Sequence, residues 1–143
     1  MVQNNMLQYL FWQSSVSVLL KKVRTMTVYV TQENPRIDVV SALKWGDLEP
    51  LANPFDQIHL DPSRIVSQIR RKLRGFSDVD WLLAMGDPAI IGVAFAIASE
   101  LNGGHVNLLK WDKIEKAYYP VKINMRGAGI ENLTPDEEIR NDR

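Results

Sequence analysis

The stretch "DWLLAMGDPAIIGVAFAIASELNGGHVNLLKW", residues 80–111, decides how this chain folds. Residues 80–85 form a continuous apolar run of strand length, the pattern of a strand buried on both faces. Gly86-Asp87-Pro88 follows. Asp is a favoured helix N-cap and Pro suits the first helical position, so a helix over 89–101 is expected. Asn102-Gly103-Gly104 stop it, and 105–111 return to a strand pattern. Strand, helix and strand make a βαβ unit, with a right-handed crossover and strands 80–85 and 105–111 parallel.

A similar phrase lies upstream, "IHLDPSRIVSQIRRKLRGF", with Asp61-Pro62 at the same kind of junction. Here Ile65, Val66, Ile69, Leu73 and Phe76 recur at helical spacing and define one buried face. Arg64, Arg70, Arg71, Lys72 and Arg74 take most of the remainder. Residues 61–75 therefore read as a helix with a basic outer surface. If residues 57–60 are a strand, this helix belongs to a second βαβ unit. Residues 27–32 are β-branched and aromatic and read as a strand. Residues 39–45 hold one short helix closed by Gly46. Pro50 and Pro54 bound a loop or short strand near Leu48. Residues 105–111 and 117–123 flank a polar turn as a hairpin. Pro120 cannot donate to a ladder, so its strand belongs at a sheet edge or carries a bulge. The expected fold class is α/β, a small mixed sheet with βαβ units and an antiparallel C-terminal edge hairpin.

A chain of 143 residues with 45% apolar and 24% charged residues has the make-up of one soluble globular domain. Its 17 basic and 17 acidic residues cancel, which argues against a dedicated duplex-DNA binder. The absence of cysteine removes disulfides, thiolate nucleophiles and cysteine–zinc sites together. His59 and His105 lie far apart and sit in no ligand-spaced motif, so no metal site is expected. The apolar patch of residues 6–20 is interrupted by Gln13, Ser14 and Ser15, and its positive charges follow it. It has neither the layout of a secretory signal nor the length of a membrane span. Met26 reads as an alternative start. The expected organisation is an extension over 1–25, one α/β domain over 26–125, and a polar tail over 126–143 with a short helix capped at Thr134.

What carries chemistry is sparse. Both Asp-Pro junctions would lie beyond the carboxyl ends of parallel strands, where α/β sheets commonly bind ligands. Asp61, Ser63, Gly86 and Asp87 are thus the candidate residues for a nucleotide or small anion. The plainer reading is capping, with each carboxylate satisfying the amides of its own helix, and Asp87 is expected to start a helix. No phosphate-binding glycine motif and no nucleophile elbow is present. No catalytic residue is assigned and no cofactor is implied. Arg64, Arg70, Arg71 and Arg74 could meet nucleic acid or an acidic partner, yet such a stripe is more often a solvated face. Trp111, Tyr118 and Tyr119 could stack bases, although cross-strand packing accounts for them as well. Trp45 and Trp81 read as core residues.

The phrases "LLAMGDPAIIGVAFAIASELNGGHVNLLKWDKIEKAYYPVKINM", "YVTQENPR", "SALKWGDL" and "IRRKLRGF" together resemble small, functionally uncharacterised proteins of tailed bacteriophages. The resemblance spans roughly residues 27–125 and transfers no functional residue. It implies a phage accessory protein of the host cytoplasm, and the sparse catalytic motifs make the leading reading a non-enzymatic protein acting through contacts with a host or phage protein. The rivals are a small-anion binder, possibly enzymatic, and a weak single-strand binder. Because residues 88–101 are apolar around the whole helix, cover on at least two sides is expected, and a two-fold homodimer would supply it.

Overall fold

The computed structural model describes residues 25–127. Five strands form one sheet: β1 (Thr27–Val30), β2 (Asp47–Pro50), β3 (Trp81–Leu83), β4 (His105–Asp112) and β5 (Ala117–Asn124). Their spatial order is β2-β1-β3-β4-β5. The first four strands run parallel to their neighbours, and β5 pairs antiparallel with β4. Among the described residues two α-helices accompany them, α1 (Pro62–Lys72) and α2 (Pro88–Leu101), and a 3₁₀ turn spans Val40–Trp45. The protein is α/β with an antiparallel edge hairpin, as the sequence pattern predicts.

Strand alternation divides the core in two. On one face Tyr29, Leu82 and Val106 pack with Ile65 and Ile69 of α1 and with Ile90, Ala94 and Ile97 of α2. On the other face Val28, Trp81, Leu83 and Leu109 meet the 3₁₀ turn through Ala42 and Trp45. Trp45 is half-buried and sits edge-on to Trp81, with ring centroids 5.0 Å apart. The cross-strand pairing expected in the hairpin is present: Trp111 faces Tyr118 in register, and their rings lie 4.9 Å apart. Pro120 falls on the edge strand, where its missing N–H costs no ladder bond.

The βαβ unit is β3-α2-β4, with Leu82 opposite Leu108 and Leu83 opposite Leu109. The second unit differs from expectation. Residues 57–60 are turns, closed by the Leu60 N–H on the Gln57 carbonyl. The outer side of β1 is already occupied along its whole length by Asp47–Pro50. No strand position beside β1 remains for 57–60, and Leu60 is left exposed. Helix α1 therefore connects β2 to β3. It ends at Lys72 and tightens into a 3₁₀ turn over Leu73–Gly75. The outer side of α2 is left uncovered by the described residues of the chain. The sheet and α1 bury one side of it, while Ala89, Gly92 and Ala96 stay exposed. The apolar patch of residues 6–20 and the cap expected at Thr134 lie outside the described residues.

Candidate functional site

The carboxyl edge of the parallel strands is where β1 and β3 hand the chain to opposite faces of the sheet. That is the place where an α/β sheet usually leaves a ligand crevice. Here Thr31 and Gln32, both buried, fill it. The Thr31 hydroxyl donates to the Met85 carbonyl at 2.5 Å and accepts the Met85 N–H at 2.8 Å. The Gln32 amide oxygen accepts the Asp87 N–H at 2.8 Å. Its NH₂ group donates to the Asn53 and Asp56 carbonyls, each at 3.0 Å. One side chain thus ties both helix-start loops to the end of β1. Gly86 makes this approach possible. Its φ is +95°, and a Cβ built there would stand 2.5 Å from the Gln32 Cβ.

The four residues singled out at the junctions are placed as follows. The Asp87 carboxylate accepts the Ala89 N–H at 2.8 Å, which makes it the N-cap of α2. The Asp61 carboxylate accepts the Arg64 N–H at 3.1 Å and lies 3.4 Å from the Arg64 guanidinium. Ser63 is exposed in the first turn of α1, and Gly86 packs on Gln32. Both loops share the carboxyl edge, but Gln32 stands between them. Sequence patterns give no sign of this residue, because a glutamine after a strand has no local signature.

Three of the five cations on and just after α1 are paired within the chain. Arg64 meets Asp56 at 2.9 Å, Arg70 meets Glu100 at 3.0 Å, and Lys72 lies 3.4 Å from Glu49. Lys72 also donates to the Pro50 carbonyl. Arg71 and Arg74 have no ion pair with a described residue. Burial alone would raise the Asp56 pKa. The Asn53 N–H and the Arg64 guanidinium outweigh burial and hold it below the ordinary carboxylate value.

A large opening among the described residues lies beside the clamp. Past Leu83 the chain stays hydrogen-bonded to the end of β1 and parts from β4, which continues to Asp112. A cleft of about 980 Å³ opens between them. On the 3₁₀ side it is lined by Ile37, Met85, Leu109 and Tyr118, with Arg36 and Asp38 at the rim. Burial, and then the charge of Asp38, push the Tyr118 phenol pKa up. Among the described residues there is no group of three or more metal-ligating side chains, and no helix is long and apolar enough to cross a membrane.

A family model described as "Phage Pam3 gp32-like protein" matches residues 26–125. No curated protein and no solved structure matches the chain.

Proposed function

The chain belongs to the Phage Pam3 gp32-like protein family, and on that premise we propose that it is a phage accessory protein working through protein contacts. Its place of action is the host cytoplasm, and its first partner is a second copy of itself. The observation that carries this reading is the outer face of α2. Ala89, Gly92 and Ala96 form an exposed stripe between half-buried Ile91, Val93 and Phe95. A Cβ on Gly92 would meet nothing within 4 Å. Small residues let two helix backbones come close, and two-fold dimers are the commonest closed assembly.

Sizing with light scattering on the whole chain tests it. A dimer is expected at micromolar concentration, and Ala96→Arg should convert it to a folded monomer. A wild-type monomer over that range would remove self-association from the reading. The rival reading, a small-anion site at Asp61, Ser63, Gly86 and Asp87, draws support from their carboxyl-edge position. Against it, both carboxylates are engaged as caps. Binding of inorganic phosphate or a nucleotide that is lost in Asp87→Asn would reverse the order.

A further inference from the structure

The second lobe of the cleft lies between α2 and the edge hairpin, and its chemistry differs from that of the first. Leu108 and Val106 pack toward the helices, whereas Leu109 belongs to the opposite core. Alternation along β4 then puts Lys110 on the helix side with Leu108. Register places Val121 opposite Leu108 and Ile123 opposite Val106, so both share that face. With Ile91 of α2 they make an aliphatic trough lining one wall of the cleft. Lys110 is the single charged residue on this wall, and Asp38 belongs to the other lobe. Lys110 is exposed and has no ion pair with a described residue, unlike Arg64, Arg70 and Lys72. Tyr119, 38% exposed, stands directly across from it in register.

We propose that this trough binds a small amphipathic anion, a medium-chain carboxylate, with its hydrocarbon body along Ile91, Leu108, Val121 and Ile123. The carboxylate head lies at Lys110. Three physical points select this chemistry. The side chains of Ile91, Leu108, Val121 and Ile123 that line the trough are all aliphatic. Its one charge is a cation at one end, which fixes the direction of the ligand. The trough is one lobe of a cleft whose two lobes together enclose about 980 Å³, a space on the scale of small-molecule sites, which are mostly apolar with a few placed polar groups. The trough shares Ile91 with the flank of the outer stripe of α2 and its other walls with β4 and β5, so Val121→Arg and Ala96→Arg test the two proposals separately.

The test is calorimetric titration of the whole chain with sodium decanoate below its micellar range, and with 1-decanol as the uncharged analogue. One decanoate per chain is expected. Lys110→Gln should weaken decanoate roughly tenfold, the scale of one charge-assisted hydrogen bond, and leave decanol unchanged. Val121→Arg, on the edge strand, should abolish binding of both while circular dichroism shows an intact fold. No saturable binding, or an equal loss of both ligands in Lys110→Gln, overturns the proposal. Two further results overturn it by naming another occupant. If Val121→Arg dissociates an oligomer, a second copy fills the trough. If decanoate binds only after removal of residues 128–143, the chain's own tail does.

Discussion

The Gln32 amide oxygen accepts the backbone N–H of Asp87 at 2.8 Å across 55 residues of sequence. That bond, with the two that the same side chain donates to Asn53 and Asp56, locks the carboxyl edge of the sheet. A cleft of about 980 Å³ opens on the β4 side of β3, and a smaller one of about 180 Å³ on the side of β1 and β2. The same clamp orients the first turn of α2, whose outer stripe carries the proposed self-contact.

Gln32→Ala should destabilise the protein by about 2–3 kcal/mol, since it strands a part-buried N–H and two carbonyls. Gln32→Glu should be no better, because a carboxylate cannot donate and would face those two carbonyls. Urea denaturation of both variants measures this. A loss below about 0.5 kcal/mol, within the range of a neutral surface change, would mean that water replaces the clamp.

Gly86→Ala should cost roughly 3 kcal/mol, combining a positive φ with a contact of 2.5 Å on Gln32. Gly92→Ala, with open space around it and an ordinary helical position, should stabilise the helix by a few tenths to about 1 kcal/mol. Comparing the two by thermal unfolding separates a glycine required by geometry from one that is not. Equal effects would contradict the described geometry.

Asp87→Asn should be nearly neutral and Asp87→Ala should cost about 1 kcal/mol, because Asn caps as Asp does but carries no charge. Stability and any binding activity are measured on the same samples. Loss of binding in the Asn variant with stability intact would assign Asp87 a role beyond capping.

Asp56 should make stability fall in acid. Its folded pKa is depressed by the Asn53 N–H and Arg64 against the opposing effect of burial. The contribution is therefore present above the unfolded carboxylate value and lost as pH falls through the folded one. Carboxyl-carbon NMR should show the Asp56 midpoint below the ordinary aspartate range and rising in Arg64→Gln. An unmoved midpoint would show that Arg64 contributes nothing to it.

The chain begun at Met26 should fold cooperatively, since the described core residues run from Val28 to Tyr118. Thermal unfolding followed by circular dichroism tests the domain limit proposed at 26–125. A molten or insoluble product would show that residues 1–25 belong to the core.

Nucleic acid should bind no tighter than non-specific association at physiological salt, because Arg64, Arg70 and Lys72 already face acids. Fluorescence anisotropy with a labelled single strand reads this directly. A sub-micromolar, steeply salt-dependent interaction lost on replacing Arg71 and Arg74 would reassign the helix surface.

Sequence alone determined what local chemistry controls. The two Asp-Pro caps, the buried face of α1, the βαβ unit around α2, the edge position of Pro120 and the Trp111–Tyr118 pair follow from propensity, capping and periodicity. These depend on residues a few positions apart. The tertiary structure decided what depends on competition between distant segments. Both 47–50 and 57–60 were available to pair, and only one flank of β1 was open. Residues 47–50 reach it in register, which displaced 57–60 into turns. Gln32 acquired its role because β1 and β3 are adjacent, a fact no window around residue 32 contains. The cleft arises where Met85 stays with Thr31 and leaves β4 unaccompanied. The open face of α2 has the same origin, since a sheet and one neighbouring helix can bury only the side they touch.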